Sequence, residues 1–194
     1  MMQRQDRAPM KGDDPVLSAT DVVGFWRDAG YQRWFTRDAG FDAEFCGRFL
    51  ELHYRAARRE LDDWMQTAEG ALALMVLLDQ FPRNCFRDSA HSYATDSLAR
   101  HYAARAIDAG FDQETDPDLR MFFYMPFEHS EDSADQERSL ALHRTLPGKD
   151  ADRWAVLHHD VIRRFGRFPH RNRVLGRVDA AAEQAYLDAG GGFG

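Results

Sequence analysis

The stretch from 68 to 80, AEGALALMVLLDQ, is apolar on nearly every side of a helical wheel. A helix of that kind has no face to offer water, so it predicts a central element with other helices packed around it. Its longest unbroken apolar run, ALALMVLL at 71–78, falls well short of the roughly 20 residues that cross a bilayer, which marks it as a core helix and not a membrane span. FPRN follows at 81–84. Pro82 has no amide hydrogen to give to the helix, and the helix is expected to end there.

The flanking sequence reads the same way. Phe41, Phe45, Phe49, Leu52 and Ala56 recur at steps of three or four, and a second stripe of Leu50, Tyr54, Ala57, Leu61 and Trp64 lies beside the first. Together they predict a helix buried around much of its circumference. Upstream, Asp14 followed by Pro15 has the order of an N-cap and a first helical residue, with apolar residues continuing to Trp26. Ala90, Tyr93, Ser97, Tyr102, Ala106 and Ala109 mark a helix over 89–109, and similar patterns run over 132–146 and 151–165. In the last of these Trp154, His158, Ile162 and Phe165 keep the helical step. No stretch alternates like a strand, so the expected fold class is all-α. One helical domain over residues 15–190 is expected behind a loose N-terminal tail, residues 1–14.

The tripeptide DAG occurs at 28–30, 38–40, 108–110 and 188–190 with no regular period. It is read as helix punctuation, each Gly free to take the left-handed conformation after a helix end. Phe25, Trp26, Trp34 and Phe35 are read as core packing.

A net charge of −7 over 194 residues argues against a nucleic-acid surface, which needs a basic excess. No membrane partner is expected either. Cys46 and Cys85 have no CxxC or other paired spacing, so neither a disulfide framework nor a zinc ribbon is expected, and a reducing cytoplasm fits best. Cys85 lies between Arg83 and Arg87, which could lower a thiol pKa; burial at a helix end is the commoner reason for such a residue.

Three polar stretches interrupt the helical pattern: LDQFPRN at 78–84, MPFEHSED at 125–132 and RFGRFPHRNRVLGR at 164–177. Each joins Phe to Pro beside charged or amide residues. The Pro sets the turn, the Phe anchors it, and the polar side chains project from a rigid base. FPRN and FPHRN, at 168–172, therefore display an Arg and an Asn twice.

These stretches, with FWRDAGYQRWF at 25–35 and YATD at 93–96, resemble the signature of a mainly bacterial family known as domain of unknown function 924. The likeness covers most of residues 15–187. It implies a helical array of antiparallel pairs similar to tetratricopeptide-repeat proteins, although the consensus of that repeat is absent here. No activity comes with the resemblance.

Six Arg (163, 164, 167, 171, 173 and 177) lie between 161 and 178, and five acids (Glu128, Glu131, Asp132, Asp135 and Glu137) between 128 and 137. If the segments face each other, an internal Arg–carboxylate lattice results. The functional reading makes Arg83, Asn84, Arg171 and Asn172 the donors of a pocket for an anionic small molecule or an acidic peptide, with Gln80, Glu128, His129, Glu131, Arg167 and His170 around it. Acid–base catalysis by His129 or His170 beside Glu128, Glu131 or Asp79 is one alternative, and a purely structural or protein-interaction domain whose motifs form the internal lattice is the other. No cofactor is expected and no metal site: Glu128, His129, Glu131 and Asp132 lack an established ligand spacing. His158 is read as a hydrogen-bonded core histidine.

Overall fold

The computed structural model describes residues 17–193 and is all-α, with no strand among them. The expected start at Asp14 and Pro15 lies outside the described residues, as does the tail. Helix α1 (Ala19–Trp34) is capped by Ser18, whose hydroxyl accepts the amide hydrogen of Asp21 while the Asp21 carboxylate accepts that of Ser18. Gly30 kinks α1 with φ 72°. Helix α2 (Ala39–Ala57) begins at the Asp38 cap and buries Phe41, Phe45, Phe49, Leu52 and Ala56. It ends seven residues before Trp64. Leu61 and Trp64 therefore follow the helix, and Leu50 is exposed, so the expected second stripe is not one.

Helix α3 (Ala68–Met75) occupies the middle, and every residue from Gly70 to Pro82 is buried. Gly70 permits the close approach of the preceding turn, since a Cβ there would meet the Trp64 carbonyl oxygen at 2.1 Å. Pro82 does not end the helix as expected. The chain widens into a π-helical turn, Val76–Gln80, in which the amide of Phe81 donates to Val76 five residues back, and continues as α4 (Phe81–Cys85). Pro82 then occupies the first turn of α4, where a missing donor costs least. Three carbonyls of the wider turn take side-chain donors. His53 Nδ1 reaches the Leu77 oxygen at 2.8 Å, Thr95 Oγ1 that of Leu78 at 2.5 Å, and Arg83 Nη1 that of Asp79 at 2.6 Å.

The remaining helices are α5 (Asp96–Asp108), the short α6 (Phe111–Glu114) and α7 (Met125–Glu128), then α8 (Ser133–His143), α9 (Arg153–Phe165) and α10 (Ala181–Asp188). The expected helix over 89–109 starts later, after a 3-10 turn at Ala90–Tyr93. Helix α3 packs against α1 and α5, α2 against α4, and α8 against α9. The main core joins Trp26, Phe45, Phe49, Phe81, Tyr102 and Phe122. A smaller cluster of Val161, Ile162 and Phe168 lies under Phe165, Tyr186 and Phe193. Phe35, read as core packing, and Trp154, placed on an apolar stripe, are both exposed.

Three of the four DAG glycines have positive φ, namely Gly30, Gly110 and Gly190. Gly40 instead opens α2, donating its amide to Asp38. The two cysteines are not free. Cys46 of α2 and Cys85 of α4 form a disulfide with Cα atoms 5.5 Å apart, across a sequence separation of 39 that no local spacing could announce. The argument for a reducing compartment from unpaired thiols lapses with it, as does the activated Cys85 thiol. No helix among the described residues is long and apolar enough to cross a membrane.

Candidate functional site

The π turn aims Asp79 into the interior, where it is 1% exposed. Its carboxylate accepts Nδ1 of His129 at 2.8 Å and Nε2 of Gln80 at 2.6 Å, and lies 3.1 Å from Arg83. Arg83, one turn further along, makes a two-pronged contact with Asp96 at 2.9 and 3.0 Å. Asp96 stands at the first position of α5. From the third motif, Arg171 donates to the same Asp96 at 3.2 Å and to the His129 carbonyl at 3.0 Å. The Arg171 guanidinium also lies 4.3 Å from the ring centre of Tyr93 and 4.6 Å from that of Phe168. One carboxylate thus joins the two repeated turns, and the middle motif closes the network through His129.

Glu128 lies beside this network but outside it. It is 3% exposed, and no Arg or Lys among the described residues pairs with it. Its two oxygens instead face imidazoles, His158 Nδ1 at 3.3 Å and His143 Nε2 at 3.4 Å. The His143 ring is fixed from behind, its Nδ1 3.0 Å from the Ser139 carbonyl, whereas His158 turns the same Nδ1 to Glu128 and, at 2.9 Å, to the Trp154 carbonyl. Gln136 holds the turn itself, its amide nitrogen donating to the carbonyls of Glu128 and Ser130 at 2.6 and 2.7 Å.

Burial divides the protonation states. Burial would raise the Asp79 carboxyl, but Arg83 and His129 outweigh it and hold Asp79 ionised, well below the usual carboxylate range. Burial would lower the Arg83 guanidinium, yet Asp79 and Asp96 hold it up. Glu128 goes the other way, pushed up to about 8 by burial and by the Asp79 charge. Burial drives His143 down to about 4, and burial with neighbouring cationic groups lowers His129 and His158. The centre therefore sets imidazoles whose burial favours the neutral form around a buried carboxyl group. With Nδ1 donating to Asp79, His129 carries its lone pair on Nε2.

The other expected site residues are distributed more widely. Asn84 donates to Asp42 of α2 at 2.7 Å, beside Arg87, and faces away from the centre. Asn172 donates to Asp179 at 2.6 Å and toward Glu183. Arg167 grips Glu183 with two hydrogen bonds of 2.6 Å. Glu131 takes two from Arg177 at 2.8 Å and one from the Phe168 amide. The ring of His170 packs against Phe168 and Phe193, and its buried Nδ1 has no hydrogen-bond partner. Burial and Arg171 push His170 down to about 3.

The basic and acidic segments do not face each other as a block. Glu131 with Arg177 is the pair that joins them, while Arg163, Arg167, Arg171 and Arg173 pair with Asp160, Glu183, Asp96 and Asp88. Two surface depressions, one between α1 and α2 and one at 150–157, contain none of the expected site residues. Asp96, His143 and His158 were not among the expected site residues. Asp96 lies within YATD, and both histidines sit on inward faces of helices, which is the signal that could have found them.

The family model described as "Bacterial protein of unknown function (DUF924)" matches residues 22–191. The chain belongs to this family. A solved structure of a protein of unknown function from Agrobacterium tumefaciens is similar to this DUF924 member, with 53% sequence identity over 88% of this chain and 97% of that one, and a TM-score of 0.86. No curated protein matches. All three motifs of the site lie inside the span matched by the DUF924 model.

Proposed function

We propose that this protein is a binding protein whose ligand site is the buried centre of Glu128, His129 and His158, with Asp79, Arg83, Asp96 and Arg171 as its frame. One observation carries this reading: a buried carboxyl group, Glu128, whose Oε2 has no hydrogen-bond partner, faces imidazoles at the point where the three motifs meet. Buried ionisable groups of this kind cost stability compared with apolar packing and are concentrated where chemistry or binding requires them. An anion held by Arg83, Asn84, Arg171 and Asn172 has less support, because both guanidiniums are already engaged by carboxylates and the two amides point to different neighbours. The groups left to meet a ligand are lone-pair donors, so the ligand is an electron-pair acceptor.

A second reading has its own observation. The Asp79–His129 contact leaves an oriented Nε2 lone pair, the arrangement of a general base. The two are separated by native mass spectrometry of the protein as purified, with a thermal-shift panel of metals, amines and phosphorylated metabolites. An adduct or a concentration-dependent rise in Tm that disappears in His129→Ala supports the binding reading. Turnover of a panel compound without a stable adduct, lost in His129→Ala, would favour the acid–base reading. No shift, no adduct and no turnover in the parent protein would overturn both.

A further inference from the structure

We propose that Glu128, His129 and His158 form the binding site of a divalent first-row transition-metal ion, an inference that rests on the reading of this centre as the ligand site. Each of the three brings one ligand atom within 4.8 Å of the others, and all three are buried. Ligand atoms around tetrahedral zinc stand about 3.3 Å apart, so a cation has to draw the group inward by a modest side-chain adjustment. Glu128 and His129 adjoin in sequence and suggest nothing by their spacing. The ligand that completes the set, His158, arrives from α9.

The surroundings are those that metal-binding side chains need. A ligating imidazole usually donates its other ring hydrogen to a carboxylate or backbone carbonyl, which fixes its tautomer and aim. His129 gives Nδ1 to Asp79 at 2.8 Å, whereas His158 turns Nδ1 both to the Trp154 carbonyl at 2.9 Å and to Glu128 at 3.3 Å. Asp79 is in turn oriented by Gln80 and Arg83. His143 adds a third imidazole on the other oxygen of Glu128, 3.4 Å away, with its own Nδ1 on the Ser139 carbonyl. The arginines cannot supply the charge that Glu128 lacks, since Arg83 is shared between Asp79 and Asp96 and Arg171 is held by Asp96. A divalent ion supplies it.

Size and donor type narrow the class. Asp79, Glu128, His129, His143 and His158 are all buried, and Phe193 covers His158 with a ring stacked at 3.7 Å, so the enclosed ligand is of ionic and not of organic dimensions. Two imidazoles and a carboxylate with no thiolate suit zinc, ferrous iron, cobalt or manganese, and disfavour cuprous copper or an iron–sulfur cluster.

The test uses the full chain, treated with chelator and dialysed, then titrated with Co2+ and Zn2+. The expected result is one saturable equivalent per chain, visible d–d absorption for Co2+, and a rise in Tm with metal. Affinity should fall at least tenfold in His129→Ala, His158→Gln and Glu128→Gln, and about 10- to 100-fold in Asp79→Asn, which removes a positioning group only. Far-UV circular dichroism separates lost binding from lost folding, and His158→Gln gives a variant that keeps a polar group in place. The exposed His101→Ala should bind as the parent does. Binding that is unchanged in all three ligand variants would overturn the site and identify an adventitious ion only. A folded parent that binds neither metal would overturn the metal. If native mass spectrometry then showed an organic adduct lost in His129→Ala, the binding reading would stand without the metal; no adduct at all would remove both.

Discussion

The turns FPRN and FPHRN share their letters but not their backbones. At the first, Pro82 sits in the opening turn of α4 beyond a π-helical widening; at the second, Pro169 opens a 3-10 turn after the left-handed Gly166. Their asparagines serve separate neighbours, Asp42 and Asp179. Only the arginines agree, both donating to Asp96. What repeats is the delivery of a guanidinium to one carboxylate, and the local conformation is whatever each approach requires. The partners are still unequal, because Arg83 also neutralises Asp79 whereas Arg171 also binds the His129 carbonyl.

That inequality gives the largest expected effect. Arg83→Ala leaves the buried Asp79 without an arginine and Asp96 with Arg171 alone, and should destabilise by about 3–5 kcal/mol in denaturant titrations. Arg171→Ala leaves Asp96 with Arg83 still bound and should cost about 1–3 kcal/mol. A double-mutant cycle should show coupling, since both residues share Asp96. Equal small losses with no coupling would break the comparison.

The next effect separates the turns by their anchoring. The Cys46–Cys85 disulfide ties the first turn to α2, and the second has no such tie among the described residues. Replacing both cysteines by Ser should lower stability by about 3–4 kcal/mol, as expected for a cross-link closing a loop of this length. Added reductant should bring the parent protein to the same level and leave the Ser variant where it is.

The smallest effect belongs to the second turn and depends on pH. The two hydrogen bonds from Arg167 hold Glu183 down to about 2, from an ordinary value of 4.5. A lowered carboxyl value contributes stability that is present above the unfolded value and is lost as pH falls through the folded one. The Tm difference between the parent and Arg167→Ala should therefore be full above about pH 5 and shrink toward pH 2. A difference that grows on acidification would contradict the pairing.

Much of the helical architecture is legible in the sequence, because Phe41, Phe45 and Phe49 or His158 and Ile162 repeat at the period that one buried face imposes. Exposed apolar residues such as Leu50 and Trp154 obey the same period without being covered, so period alone does not locate the core. The π turn was not legible. Whether Pro82 stops a helix or is absorbed depends on donors from His53 and Thr95, which approach only after folding. The motifs pointed to Arg83, His129, Glu128 and Arg171. They could not reveal Asp96, His143 and His158, since an acid at a helix start and histidines within apolar stripes look ordinary until three distant segments meet. The disulfide was hidden for the same reason.

The π turn also sets how the molecule can come apart. Three of its carbonyls are held by side chains from α2, from the cap of α5 and from α4, so the middle of the chain is buttoned to its neighbours from three directions. The turn cannot fray on its own. Exposing its backbone means detaching α2 and the head of α5 together, a rearrangement of the scale of global unfolding. The segment that presents Asp79 is thereby expected to open only with the elements that hold it, and the centre to keep its shape as long as the fold does.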